Sequence, residues 1–326
     1  MFTKIKNDIN RAVWLPVTAI VLILPVVLGD GYYLNVLNFV ALYSMMAVGL
    51  CLLVGYCGQL SISHSAFFAI GAYSSAVLSL RFGLPPVIAI LLSQVISAAI
   101  ALVIGAIVLR LKGHYLAIAT LSFTIIVEVI IVEAAWLTGG LQGLSGIPAF
   151  SLGSFEFDTD LSFYYVAWPV LLLLLLFALN LIDSRFGRVI KGIREHEDVV
   201  RFFGVDVGSY KVKVFVLSSV YASIAGSLYA HFLSFVSPAV ASLSFAIDII
   251  MVLAFGGFTL IWGAMLGALA FTYLTEYLTA FADFKRAAFG VALVVIMMIF
   301  PGGLLPGLQR WARAGLSSIK RASNDP

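Results

Sequence analysis

Charge is what this sequence has least of. Only 11% of its 326 residues are Asp, Glu, Lys or Arg, while 62% are hydrophobic; ordinary soluble domains carry roughly 25% charge. A water-soluble chain of this length could not cover its surface with so little polarity. A bilayer removes that need, because lipid becomes the solvent of the outer face. Histidine is scarce, with four in the chain, and HExxH is missing, which argues against a metalloenzyme. No GxxxxGK[ST] loop is present to cradle ATP phosphates, and no GxSxG elbow offers a nucleophile. The two cysteines, Cys51 and Cys57, are not spaced as CxxC and read as small core residues rather than metal ligands. The net charge of +3, with no basic patch among exposed aromatics, gives no sign of nucleic acid as a partner.

What the chain has in their place is long apolar runs. A spanning helix needs about 20 mostly apolar residues. Segments near 12–29, 35–54, 65–80, 86–108, 115–135, 163–182, 214–233, 246–262, 264–281 and 287–305 qualify. The Gly-rich stretches leave eight full spans plus broken or re-entrant segments as the alternative. Lys4, Lys6 and Arg11 precede the first run as in a signal peptide. That run exceeds the usual ~7–15 residue signal core and no small-x-small site follows, so it reads as a retained span. The expectation is an all-α polytopic membrane protein of about ten transmembrane helices, some broken or re-entrant, forming one transmembrane domain over 1–326.

Flanking cations set the orientation. Arg110, Lys112, the connector near 183–213 and the tail cations Arg310, Arg313, Lys320 and Arg321 fall on one side, which is then cytoplasmic with both termini. Asp30 and the loop near 136–162, with Glu156, Asp158 and Asp160, fall outside. Arg81, Lys285 and Arg286 are minor exceptions there.

Four motifs stand out. Gly55 and Gly58 interrupt a helix in GYCGQLSISHSAFFAIGAY, and Gln59, Ser61, Ser63 and His64 can satisfy the freed backbone. Irregular backbone at membrane depth is tolerated inside protein or along a wet cavity, and transporters place such breaks at the solute path. A tight packing site with a turn is the equal alternative. The stretch RLKGHYLAIATLSF enters a helix carrying Thr120, Ser122, Thr124, Glu128 and Glu133; the deeper carboxylate, Glu128, needs a partner or water. Thr138-Gly139-Gly140-Leu-Gln-Gly-Leu-Ser-Gly-Ile-Pro148 is a loop whose glycines permit positive φ, serving either to accept a solute or to cap two helices. Gly263 and Gly267, and likewise Ala222, Gly226 and Ala230, make faces for close helix packing.

The longest inner connector, about 184–207, reads SRFGRVIKGIREHEDVVRFFGVDV. Val189, Ile190, Ile193, Val199, Val200 and Phe203 can share one helical face, with Gly204 as the stop. Such a helix lies on lipid, packs on its own protein or docks into a partner.

In order, GYCGQLSISHSAFFAIGAY, RLKGHYLAIATLSF, TGGLQGLSGIP, SRFGRVIKGIREHEDVVRFFGV and GGFTLIWGAMLGA resemble the branched-chain amino acid permeases of bacterial ABC importers, in particular the LivM-like branch. The resemblance covers about Asn35 to Pro306. It departs from the usual pattern at Ser63, Ser65, Val199, Val200, Thr259 and Ala264. It implies a permease subunit of the inner membrane that imports branched-chain amino acids, another amino acid or urea. Its implied partners are a LivH-like second permease, two ATP-binding cassette ATPases and a periplasmic solute-binding protein. No cofactor is expected on this chain; ATP and Mg would be used by the ATPases. By the resemblance, the segment from Arg188 to Gly204 is a coupling helix, with Arg188, Lys191, Arg194, Glu195, Glu197 and Asp198 at or near the ATPase. Candidate solute contacts are Gln59, Ser61, Ser63, His64, Thr120, Ser122, Glu128, Thr138, Gly139 and Gly140. The competing reading is a proton- or sodium-coupled secondary transporter using Glu128, Asp248 and Glu276; an intramembrane enzyme ranks below it.

Overall fold

The computed structural model describes residues 31–278, apart from Ser154, and isolated positions on either side. The expected spans near 12–29 and 287–305, the cations Lys285 and Arg286 and the two charged tails lie outside the described residues. Within them, helix is almost the only regular structure. Long helices are α1 (Gly31–Leu50), continued by a π-helical turn Cys51–Tyr56, α2 (His64–Phe82), α3 (Pro86–Val108), α4 (His114–Glu133), α5 (Asp160–Asp183) and α7 (Val207–Leu233). Each is long and apolar enough to cross a membrane. Between α5 and α7 lies α6 (Arg185–Phe202), and the described chain closes with α8 (Leu243–Gly256) and α9 (Ile261–Leu278).

Local chemistry places the helix ends. Gly83 takes a left-handed conformation (φ 61°) after α2, and Pro86 sits in the first turn of α3. Thr159 and Ser162 form a reciprocal capping box at the start of α5, satisfying two otherwise orphaned N–H groups. Ser184 turns the corner into α6, donating to the Leu181 carbonyl at 2.6 Å and accepting from the Gly187 amide at 3.2 Å.

Two faces result. One carries the α1–α2 connector, the α3–α4 connector and α6. The other carries a small hairpin, β2 (Phe150–Leu152) with β3 (Phe155–Phe157), and a second antiparallel pair, β1 (Leu144–Ser145) with β4 (Phe235–Val236). These are called the α6 face and the hairpin face below.

Helix α7 is the axis of the packing, against α2, α3 and α1. Small residues let the backbones touch: a Cβ on Gly226 would collide with the Phe68 carbonyl, and one on Gly71 with the Ser223 carbonyl. Ala222 and Ala230 are fully buried on the same helix, as the small-residue pattern predicts. Hydrogen bonds between hydroxyls and backbone lace the same seam. Ser227 Oγ donates toward the Gly71 carbonyl at 3.0 Å and lies 2.9 Å from Ser93 Oγ. By contrast α3 is largely uncovered, with Ile88, Leu91, Val95, Leu102, Val103 and Ile107 exposed.

The segments expected near 246–262 and 264–281 meet as a bent pair. Helices α8 and α9 are inclined at 117° across a short break, the broken or re-entrant kind of segment that the Gly-rich stretches raised. At 1.5 Å per residue the 14 residues of α8 reach only about 21 Å, short of the ~30 Å hydrocarbon layer. The pair leaves by the face it entered. Before α8, Pro238–Ala241 follows β4 on the hairpin face. At the far end of α9, Glu276 Oε1 accepts from Tyr32 Oη at 2.6 Å, and Tyr32 opens α1 beside Asp160, whose carboxylate accepts from Asn35 Nδ2 at 3.0 Å. Gly263 and Gly267 close the pair, since a Cβ on either would strike the backbone of α8 or of the turn after it.

Replacing Gly226 by Val should destabilise the purified chain by about 1–3 kcal/mol or more, the cost of overpacking a filled core. Thermal unfolding in detergent checks this, with Ala99→Val on the exposed side of α3 leaving the midpoint unchanged.

Candidate functional site

The interruption after α1 is the centre of the polar structure. The π-helical turn ends at Tyr56, and Cys57–Ser63 runs irregularly before His64 opens α2. Gly58 has φ 71°, a conformation that a side chain would strain. Unpaired buried backbone is costly, and several of the freed groups find a partner. The Gln59 amide donates to the Leu53 carbonyl at 3.1 Å, and Gln59 Nε2 to the Cys57 carbonyl at 3.2 Å. Ile62 is held from both ends by α4: its N–H donates to Thr120 Oγ1 at 3.1 Å and its carbonyl accepts from Thr124 Oγ1 at 3.0 Å. Ser61 and Ser63 hydroxyls lie 2.9 Å apart. Cys51 and Cys57 are free and buried here, as small core residues should be.

His64 packs into the same region. Ser218 Oγ donates to the Gly49 carbonyl at 2.5 Å and lies 2.6 Å from His64 Nε2. With the Ser218 proton committed to the carbonyl, Nε2 of His64 is the donor. This ties α2 to α7 and α1. Ser218 was not singled out in the sequence. Its signal is its place on the α7 stripe Val207, Lys211, Val214, Ser218, Tyr221, Ala225, all buried at helical spacing.

The structure therefore gathers Gln59, Ser61, Ser63, His64 and Thr120 in one buried cluster with Thr124. Two candidates on the same helix stand apart: Ser122 is exposed and bonds only back to the Ile118 carbonyl, and Glu128 is half-buried. Thr138, Gly139 and Gly140 lie at the opposite end of α4, on the hairpin face. Thr138 Oγ1 reaches the Ile131 and Ala134 carbonyls at 2.5 and 2.9 Å and accepts from the Gly140 amide. Gly143 (φ 74°) brings the loop against the Val236 backbone, and His231 Nδ1 lies 2.8 Å from the Pro148 carbonyl. The loop caps α4 and clasps the end of α7, which favours the capping alternative for its residues.

Helix α6 departs from its expected form. One continuous apolar face was expected; the backbone instead leaves helical geometry at His196 (φ −149°, ψ 92°). Upstream, Ile190 and Ile193 are buried against the chain. Downstream, Val199, Phe202 and Phe203 are exposed, Phe202 by 88%. Gly204 (φ 78°) follows the helix as its stop. The charged residues divide too. Arg194 donates to the Gly55 carbonyl and packs over Gly58. Lys191 Nζ donates to the Ile182 carbonyl at 3.0 Å and sits over the Tyr56 ring. Glu197 accepts from Lys211 Nζ at 2.7 Å and from Arg201 Nη2 at 2.8 Å. These three hold α6 to its own protein; Arg188, Glu195 and Asp198 are exposed, with Arg188 reaching the Asp183 carbonyl at 3.4 Å and Asp198 3.9 Å from Lys112.

Lys211 is the residue that sequence reasoning misplaced. The connector near 183–213 is expected to hold it, with the span starting near 214, but α7 begins at Val207 under an Asp206 cap. The ammonium is 3% exposed and paired with Glu197, so α7 carries its cation inward.

The comparisons agree on one relationship. The family described as "Branched-chain amino acid transport system / permease component" matches residues 32–301. The high-affinity branched-chain amino acid transport system permease protein LivM of Salmonella typhimurium is 30% identical over 295 residues, 83% of this chain and 69% of that protein. LivM of Escherichia coli gives the same figures. The ribose import permease protein RbsC of Escherichia coli is 26% identical over 274 residues, covering 81% and 83%. No solved structure matches.

Thr124→Val should leave the Ile62 carbonyl unsatisfied and cost about 1–3 kcal/mol, read as a lower unfolding midpoint, while Ser122→Ala should not move it. Unchanged stability with Thr124→Val would mean that the Ile62 clamp does not hold the break.

Proposed function

Because the chain belongs to the branched-chain amino acid transport permease family, and is thus a multi-pass membrane transport subunit rather than an enzyme, we propose that it carries branched-chain amino acids inward as one of two permeases in an ATP-driven importer. The observation that carries the substrate is the likeness to LivM over 83% of the chain. The likeness to RbsC keeps the exact solute a matter for experiment. The importer would sit in a bacterial inner membrane with a LivH-like second permease, two ATP-binding cassette ATPases and a periplasmic solute-binding protein. ATP and Mg would act on the ATPases and not on this chain.

Orientation follows from charge. Among the described residues nine Lys and Arg lie on or just inside the α6 face, against Arg81 on the hairpin face. The positive-inside rule makes the α6 face cytoplasmic, and both termini are taken to lie there. The binding protein would dock on the hairpin face. The solute would pass between the two permeases, along the outward side of α4 where Ser122 and Glu128 lie. Gln59, Ser61, Ser63, His64 and Thr120 would act by shaping the break behind it. The exposed end of α6, with Val199, Phe202, Phe203 and the exposed Arg188, Glu195 and Asp198, offers the ATPases an apolar knob with a charged rim, which sets register. Lys191, Arg194 and Glu197 would pass the motion inward, being bonded to the end of α5, to the turn before the α1–α2 break and to α7 respectively.

Two outcomes are expected. Gentle extraction of the tagged chain should recover a second permease and P-loop ATPases, and Phe202→Asp with Phe203→Asp should lose the ATPases without lowering the chain's own unfolding midpoint. Uptake of labelled leucine should stop when ATP is depleted with the proton gradient kept. Uptake that survives, or ATP hydrolysis by the isolated chain, would overturn the reading.

A further inference from the structure

A cavity of about 360 Å³ opens at the α6 face between the ends of α3, α6 and α7. Its lining includes Arg110, Lys112, Arg201 and Lys211 against one carboxylate, Glu197, with Gly208 in the first turn of α7. Glu197 is committed: it bonds Lys211 and Arg201 and lies 3.8 Å from Lys112. Asp198 stands 3.8–3.9 Å from Arg201 and Lys112 on the outer side, and Asp206 caps α7 through its bond to the Ser209 amide. Arg110 is exposed, lines the cavity and uses its Nε on the Ala106 carbonyl at 3.1 Å. Four cations against two carboxylates, Glu197 in the lining and Asp198 beside it, leave the pocket short of negative charge.

The second observation is independent of charge. The exposed side of α3 forms a continuous apolar stripe from Ile88 through Val95 and Val103 to Ile107, and exposed Arg110 follows in the turn just past the helix end. From residue 88 to residue 107 the helix rises about 28 Å, close to the ~30 Å thickness of the hydrocarbon layer. The stripe is therefore one leaflet pair deep and ends on a guanidinium at headgroup level, beside the cavity.

We propose that this pocket binds the phosphate headgroup of an anionic phospholipid, with Arg110 and Lys112 as its principal ligands and the acyl chains lying along α3. Basic pockets between helices at the cytoplasmic interface suit such headgroups, and the planar guanidinium suits phosphate oxygens. The inference does not depend on which solute the chain carries, and it stands if the transport reading fails.

The test is native mass spectrometry of the full-length chain in detergent, titrated separately with phosphatidylglycerol and phosphatidylcholine. The wild-type chain should retain phosphatidylglycerol in clear preference. Arg110→Gln and Lys112→Gln should each weaken it about fivefold, roughly 1 kcal/mol for one lost contact between a cation and the headgroup. Arg185→Gln, the same loss of charge elsewhere on this face, should change nothing. Equal weakening by Arg185→Gln would reduce the effect to bulk attraction and overturn the site. So would equal retention of both lipids, or full displacement of phosphatidylglycerol by millimolar inorganic phosphate, which would mark a free-anion pocket. Unchanged unfolding midpoints for the two variants separate lost binding from lost structure.

Discussion

The backbone between Tyr56 and His64 leaves the helix among packed side chains, with Gln59, Ser61 and Ser63 buried, and it must find hydrogen bonds there; other elements are arranged to supply them. Helix α4 contributes Thr120 and Thr124, α6 contributes Arg194, and the segment bonds to itself through Gln59, Ser61 and Ser63. This one interruption thus binds together three elements far apart in sequence. It also explains why α6, the most polar helix, is not free at the membrane surface: half of it is required as a partner for the break.

Around that break the packing uses closeness in place of the hydrophobic effect, which is weak between helices in lipid. Gly49, Gly71 and Gly226 bring the α1, α2 and α7 backbones together, and serine hydroxyls fill the seams. Buried Lys211 with Glu197 is the costly exception. A buried pair gains little over apolar packing but is badly destabilised when one partner is lost, so it fixes the position of α6 on α7 more than it adds stability.

The membrane class, most helix positions and the interruption itself were legible, because long apolar runs and paired glycines leave a strong imprint. The small-residue faces were legible for the same reason, Gly226 and Gly267 being where they are needed. The roles of the polar residues were less so. Thr120 and Thr138 carry hydroxyls that suit a solute equally well, and only the backbone groups beside them in space, the Ile62 amide and the Ile131 carbonyl, reveal that they are engaged. The kink at His196 left no mark either, since no Pro or Gly stands there; Val199 and Phe203 continue the helical pattern while the backbone turns it to a different surface. Lys211 misled because a charge reads as an end of a span unless its counter-charge, 14 positions earlier, is known to fold back on it.

The bent pair α8–α9 bears on how the chain is threaded into its membrane. Its connector, Gly257 to Leu260, contains no Lys or Arg, so the charge rule that fixes the cation-bearing turns of the α6 face has nothing to grip there. The tip is held by contact instead: the Phe258 carbonyl accepts from Cys51 Sγ at 3.4 Å and crowds Gly55. Because the pair returns to the side it left, it adds nothing to the parity of crossings, and the sidedness of all that follows is the same whether or not it has been inserted. Insertion of this hairpin can therefore wait until α1 and its break are already in place to receive it.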